Sequence, residues 1–253
     1  MNKAWREKRI FYRLTEESKE EAYSNFLKQG LSRSEIDSYE ADELGCSLEW
    51  NDVKRYRGKA VKDDAGVRSV ASAVLYSLVR KYQPKMLVET GIHFGVSSTL
   101  FLLALKNNGF GKLVSIGSWK DERRGSYIPE SLKSNWTEIV GRSQNELPKL
   151  SGNIDFFCHD SEHSYDCMLF EYEWALAHMK KGVIVTHDIG ASNAFFDFTE
   201  KHSLPLYLVK EKSPTGYGLG VTMIGYDVSN TISYQKNMKQ EKNKQPDLLD
   251  KYL

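Results

Sequence analysis

The chain is poor in cysteine and proline, with three and six among 253 residues. Cys46, Cys158 and Cys167 build neither a disulfide framework nor a paired-cysteine metal site, so they are expected to be reduced and structural. An excess of one charge is also missing: 35 Lys+Arg stand against 34 Asp+Glu, a formal charge of +1, which argues against a dedicated nucleic-acid or membrane-surface binder. No apolar run reaches the roughly 18 to 20 residues that span a bilayer. The N-terminus, MNKAWREKRIFYRL, is charged and has no apolar core behind it, so the expected location is cytoplasmic.

What is present is a 40% hydrophobic fraction with 12% aromatics, enough for a packed core. Residues 1–66 are dense in Glu, Lys, Arg and Ser, with Phe11, Leu14, Ala22, Phe26, Leu27 and Leu31 at roughly helical intervals. They are expected to form a helical appendage, a lid or a dimer contact. Residues 229–253 read as a polar tail. Between them, 67–228 carry the core domain.

That domain alternates strand and helix. The stripe Val70, Val74, Leu75, Leu78 and Val79 predicts a helix that Pro84 closes. Strands are expected at 85–89, 112–116, 136–140, 154–159, 182–187, 206–209 and 218–226, and helices at 99–106, 165–179 and 193–201. Such alternation implies an α/β fold: a doubly wound, mostly parallel, Rossmann-like sheet with helices on both faces and an antiparallel last strand.

Three segments follow expected strands, where ligands bind in open α/β sheets. The first is Glu89-Thr90-Gly91-Ile92-His93-Phe94-Gly95-Val96-Ser97-Ser98. Its glycines let backbone approach a ligand, and they equally serve a tight structural turn. The spacing is not that of a dinucleotide fingerprint. A carboxylate before a spaced glycine pair suits a ligand with a cationic amino-acid end better than one with a diphosphate.

The second segment is His159-Asp160-Ser161-Glu162-His163-Ser164-Tyr165, which offers oxygen ligands and an imidazole active near neutral pH. Ser161 or Ser164 can alternatively cap the following helix. The third is Thr186-His187-Asp188-Ile189. Asp188 can converge with Asp160, and two converging carboxylates call for a cation between them. Asp188 can also cap the helix that follows or pair with a lysine.

These segments resemble a known family, the class I S-adenosylmethionine-dependent methyltransferases, in the O-methyltransferase-like branch with macrolide-sugar and catechol-type enzymes. VETGIHFGVSS, SYIPESLKSNWTEIVGRSQNELPKL, IDFFCHDSEHSYDCMLFEYEWALAHMKKGVIVTHDI and the strand order carry the resemblance over about residues 67–226. It implies a cofactor site of Glu89, Thr90, Gly91, His93, Gly95, Ser97, Ser98, Gly117, Trp119, Arg142, Ser143 and Asp160 for S-adenosylmethionine. It implies Mg²⁺ or another divalent metal on Asp160 and Asp188, and His163 as general base beside Asp160. The implied activity is methyl transfer to a hydroxyl of a small metabolite, a sugar or natural-product intermediate, with a homo-oligomer in keeping; the charge balance and the lack of a long apolar run speak against nucleic-acid and membrane partners.

Three departures qualify the implied site. Gly117 stands where the family has an acid for the ribose hydroxyls, so Asp121, Glu122 or backbone groups are expected to substitute, with Trp119 on the adenine. Ile189 stands where catechol-type members have an amide, so one metal ligand is either missing or supplied by His187. Glu162 adds charge beside His163 and is expected to raise its pKa. Gly117 also feeds an alternative, a methyltransferase-fold protein that has lost catalysis and serves binding or assembly.

Overall fold

The computed structural model describes residues 69–209 and 218–226. The N-terminal appendage, Cys46 and the C-terminal tail lie outside the described residues. Helix α1 (Ser69–Tyr82) leads into β1 (Met86–Thr90), α2 (Val96–Asn108) and β2 (Lys112–Gly117). A 3₁₀ segment, Glu130–Asn135, precedes β3 (Trp136–Val140) and the short α3 (Ser143–Glu146). Then follow β4 (Phe156–His159), α4 (Tyr165–Ala177), β5 (Gly182–Thr186), α5 (Ala194–Lys201), β6 (Tyr207–Val209) and β7 (Leu219–Ile224). The expected strands and helices are all present, with ends moved by one to three residues where helices start earlier or fray.

The strands form one seven-stranded sheet in the order β3-β2-β1-β4-β5-β7-β6. Pairings from β3 through β5 are parallel, and β7 runs antiparallel to both β5 and β6. Strand alternation sends Leu87, Phe156 and Cys158 to one face, where Leu75 and Leu78 of α1 and Leu100 and Leu103 of α2 cover them. Val88 and Phe157 point to the other face, beneath Met168 and Tyr172 of α4 and Phe195 and Phe198 of α5. Burying β1, β4 and β5 on both faces is why they read as near-continuous apolar runs. Among the described residues no helix is long and apolar enough to cross a membrane.

The order reverses between β1 and β4, because β2 lies on one side of β1 while the chain returns to the other for β4. Such a switch point leaves a crevice at the carboxyl ends of the strands. Register aligns those ends: Thr90 pairs with Ile116 and His159, and His159 with Thr186. The ladder continues one residue further through Gly91 N–H to the Ile116 carbonyl, Asp160 N–H to Thr90 and His187 N–H to His159, each at 2.8 Å. Gly91, Asp160 and His187 therefore stand side by side.

Candidate active site

Glu89 is buried, and alternation directs its side chain to the α2 face of the sheet. Ser97 and Ser98, in the first turn of α2, donate hydroxyl hydrogen bonds to its Oε1 at 3.0 and 2.8 Å. Its Oε2 is buried without a hydrogen-bond partner. Burial pushes the Glu89 carboxyl up to about 8, against the opposing pull of the Ser98 and Ser97 hydroxyls. A buried carboxylate with an oxygen to spare suits a cationic ligand group.

Gly91 adopts φ +91°, and a Cβ there would lie 1.8 Å from the Asp160 carbonyl oxygen. Only glycine allows β1 and β4 to leave the sheet so close together. Gly95, with φ 86°, occupies the position before α2 and lets the loop turn into the helix. Gly117 is tight for another reason: a Cβ would meet Ile92 Cγ2 at 2.6 Å and its backbone N and O at 3.2 Å. The space that a side chain at 117 would enter is occupied by Ile92 of the neighbouring loop.

Thr90 faces away from Glu89. Its hydroxyl donates to Glu171 Oε2 at 2.5 Å, inside the protein. Ser143 likewise lies 3.8 Å from Cys167 Sγ, in the same buried network. These side chains support the site from behind, and any cofactor contact from Thr90 falls to its backbone. Arg142 is exposed and stands 3.9 Å from Glu162, bridging the loops after β3 and β4.

His93 and Trp119 pack with ring centroids 3.9 Å apart and planes tilted by 34°, and Phe94 meets Trp119 edge-on at 5.3 Å. Arg123 lies 5.1 Å above the Phe94 ring while its guanidinium grips Asp121 at 2.7 Å. Arg124 ties the Trp119 carbonyl to Glu138. Trp119 therefore stands ready as an aromatic surface, whereas the Asp121 carboxylate is already engaged by Arg123. Burial and then the Arg123 charge lower the His93 pKa, favouring a neutral ring.

The loops after β4 and β5 meet, and the donors that lie within 4.8 Å of one another are those of Asp160, His163 and His187, with Asp188 outside that group. His187 Nδ1 is 3.0 Å from Asp160 Oδ1 and 3.6 Å from Asp188 Oδ1. His163 Nε2 is 3.8 Å from both Asp160 Oδ1 and Asp188 Oδ2. Asp188 holds φ 47° and ψ 44°, a left-handed conformation that costs Asp less than most residues. Neither Asp188 nor Ser164 makes the capping hydrogen bond open to it. Ser164 donates instead to Glu162 at 2.8 Å.

Burial acts to raise the Asp160 pKa, but the charge and hydrogen bond of His187, with the charges of His163 and His159, leave it below the usual carboxylate range. His163 also lies below its ordinary value, first through burial and then through the His159 charge, which together outweigh Asp160 and Asp188. This corrects the expectation that Glu162 raises the base's pKa. Glu162 turns outward to Ser164 and Arg142, and desolvation decides the sign.

Sequence reasoning left one buried polar pair unassigned. His159 and Glu171, both 0% exposed, meet at Nδ1 to Oε2, 2.6 Å, directly behind the loop that carries Asp160. Glu171 also accepts from Thr90 and Ser161, and His159 Nε2 has no hydrogen-bond partner. His159 packs edge-on against His163, with centroids 5.2 Å apart. Burial would raise Glu171, but the hydrogen bond and charge of His159 hold it below its ordinary value. An acid on the apolar face of α4, beside Met168, Tyr172 and Ala175, was the available signal.

The switch-point crevice, with Glu89 one residue before the end of β1 and a polar cluster at the ends of β4 and β5, lies in a Rossmann-like α/β fold of the kind that solved methyltransferases have. Residues 88–189 match the family model described as a methyltransferase domain. That match covers less than half of the chain and identifies a methyltransferase domain within it. No curated protein matches its sequence. Among solved structures it is similar to the O-methyltransferase TomG of Streptomyces achromogenes, involved in tomaymycin synthesis and in complex with SAM. That likeness has TM-score 0.57 and 18% identity, and covers 68% of this chain and 88% of TomG. The Bacillus cereus O-methyltransferase in complex with SAH gives 0.56 and 14%, covering 79% and 94%. The SAH-bound methyltransferase PaMTH1 of Podospora anserina gives 0.53 and 14%, covering 78% and 97%.

Proposed function

We propose that the protein transfers the methyl group of S-adenosylmethionine to a hydroxyl oxygen of a small hydroxylated metabolite, a sugar or natural-product intermediate. The observation that carries this reading is the unpartnered Oε2 of buried Glu89 beside the Asp160 cluster at the next strand end. Glu89 would receive the α-ammonium of the cofactor, while Gly91 and Gly95 keep the backbone close and Trp119 with His93 offers an aromatic face to adenine. TomG and the Bacillus cereus enzyme, O-methyltransferases with SAM and SAH, support the same assignment.

In the reaction the acceptor oxygen forms a bond to the methyl carbon as the sulfonium C–S bond breaks, and the hydroxyl proton leaves the oxygen. Asp160 and His163 are the groups we assign to receive that proton. A carboxylate below its usual range and an imidazole kept neutral by desolvation are both in proton-accepting form at neutral pH. Asp160 and His187, 3.0 Å apart, with Asp188 3.6 Å from His187, would hold a divalent cation, which when bound would lower the hydroxyl's pKa and fix its oxygen. Two described cysteines, Cys158 and Cys167, are buried and free, in keeping with a reducing cytoplasmic setting. The intact Glu89 site favours an enzyme over the non-catalytic alternative that Gly117 suggested.

Calorimetric titration with S-adenosylhomocysteine tests this reading. Without ligand, Glu89 is largely protonated at pH 7, because its pKa stands at about 8. An arriving ammonium favours the carboxylate and lowers that pKa, so binding at pH 7 should release a proton and strengthen between pH 6 and 8. Glu89→Gln should weaken binding about 10-fold, the loss of one charged hydrogen bond, and abolish the proton release. Absence of binding across this range would refute the assignment.

A further inference from the structure

We propose that His163 is a metal ligand, and that with His187 and Asp160 it forms a two-imidazole, one-carboxylate site selective for a transition-metal ion of the Co²⁺ or Zn²⁺ kind over Mg²⁺. This deepens the proposed function by naming the class of ion at the acceptor site, and it gives His163 a different task from that of general base.

The geometry carries the argument. His163 Nε2 faces two carboxylate oxygens at 3.8 Å, too far for a hydrogen bond to either. The atom is nonetheless closed off from solvent and has no hydrogen-bond partner. An imidazole nitrogen buried among carboxylates but bonded to none of them is satisfied by something held in common. Donor atoms of Asp160, His163 and His187 all lie within 4.8 Å of one another. Metal–donor bonds of about 2.0–2.2 Å place neighbouring donors of one ion roughly 3 to 3.5 Å apart. The 3.0 Å separation of His187 and Asp160 is already in that range, and the 3.8 Å separation of His163 and Asp160 reaches it by a small movement of the His163 ring.

Donor chemistry selects the ion. Mg²⁺ prefers an oxygen shell and keeps its waters, whereas imidazole nitrogen suits Zn²⁺, Fe²⁺, Co²⁺ and Ni²⁺. Here two of the three donors are imidazoles, and Asp188 offers a further oxygen 3.8 Å from His163. The backbone places the donors firmly. His187 follows the last residue of β5, Asp160 that of β4, and His163 packs against His159, which Glu171 locks from behind. Three protein donors leave positions open for the acceptor oxygen and water.

The test uses the full chain stripped of metal, titrated calorimetrically with CoCl₂, ZnCl₂ and MgCl₂, with the visible spectrum of the Co²⁺ form recorded. Co²⁺ and Zn²⁺ should bind at least about 100-fold more tightly than Mg²⁺. The Co²⁺ form should show nitrogen- and oxygen-ligand bands without thiolate charge transfer. His163→Ala and His163→Gln should each weaken Co²⁺ binding by more than about 10-fold, the lower range for loss of even a supporting residue, and leave S-adenosylhomocysteine affinity unchanged. Equal or tighter Mg²⁺ binding overturns the proposal. So does unchanged Co²⁺ affinity in the variants, which would return His163 to the role of base. Where a variant loses S-adenosylhomocysteine binding as well, the wild-type preference between Co²⁺ and Mg²⁺ decides. Wild-type protein that binds Co²⁺ selectively but never binds S-adenosylhomocysteine would keep the metal site and refute the proposed function.

Discussion

Gly117 shows how one position can carry opposite meanings in sequence and in space. In sequence it is a missing acid, and the obvious repair is Gly117→Asp. In space its Cβ position is 2.6 Å from Ile92 Cγ2 and 3.2 Å from Ile92 backbone atoms. Backbone cannot rotate away as a side chain can, so a new Cβ has to push the loop after β1 aside. Gly117→Asp should destabilise the protein by about 1–3 kcal/mol, the usual cost of overpacking, and should weaken S-adenosylhomocysteine binding. Urea unfolding and calorimetry check it. Tighter binding at unchanged stability would show that ribose recognition was merely missing an acid. Glu89 carries the reverse lesson: the acid was visible in the sequence, but its unpartnered oxygen and raised pKa come only from burial between β1 and α2.

At the scale of elements, β4 and α4 are joined by chemistry that their separate patterns conceal. His159 closes β4, and Glu171 lies in the middle of α4, a residue type that rarely turns to a core. Their pairing, with Thr90 of β1 as a third partner, locks helix to sheet beneath the loop bearing Asp160 and His163. Glu171→Ala would leave His159 buried with no partner on either nitrogen and should cost about 3–5 kcal/mol, the usual penalty for breaking a buried pair. Because the Glu171 carboxyl lies below its ordinary value, its stabilisation is present above the unfolded-state pKa and fades as pH falls through the folded one. The variant should therefore show a shallower loss of stability on acidification, followed by urea midpoints from neutral to acid pH. A wild-type slope in the variant would remove Glu171 as the acid-sensitive group.

For the whole molecule, the crevice lies between two halves of one sheet, β3-β2-β1 and β4-β5-β7-β6, so a ligand there touches residues from both. S-adenosylhomocysteine at about 100 times its Kd should stabilise the native state by about 2.7 kcal/mol. For a chain of this size the melting temperature should rise by about 5–10 °C, read in a thermal scan. No shift at saturating ligand would contradict binding across the switch point.

The amino-acid sequence by itself determined the α/β architecture, because strand and helix announce themselves through local periodicity and through breakers such as Pro84. It also placed Glu89, Asp160 and His187 at strand ends, a one-dimensional property. The 85–89 run became Met86–Thr90 and the 112–116 run Lys112–Gly117, shifts within the ordinary fraying of element ends. Tertiary structure alone decided which strand-end groups share a volume. Parallel register sets Asp160 beside His187, α4 turns Glu171 onto His159, and Ile92 occupies the space beside Gly117. Burial also lowered the His163 pKa against the expectation drawn from its neighbour Glu162. Neighbours in sequence do not specify desolvation, which depends on every element packed around a group.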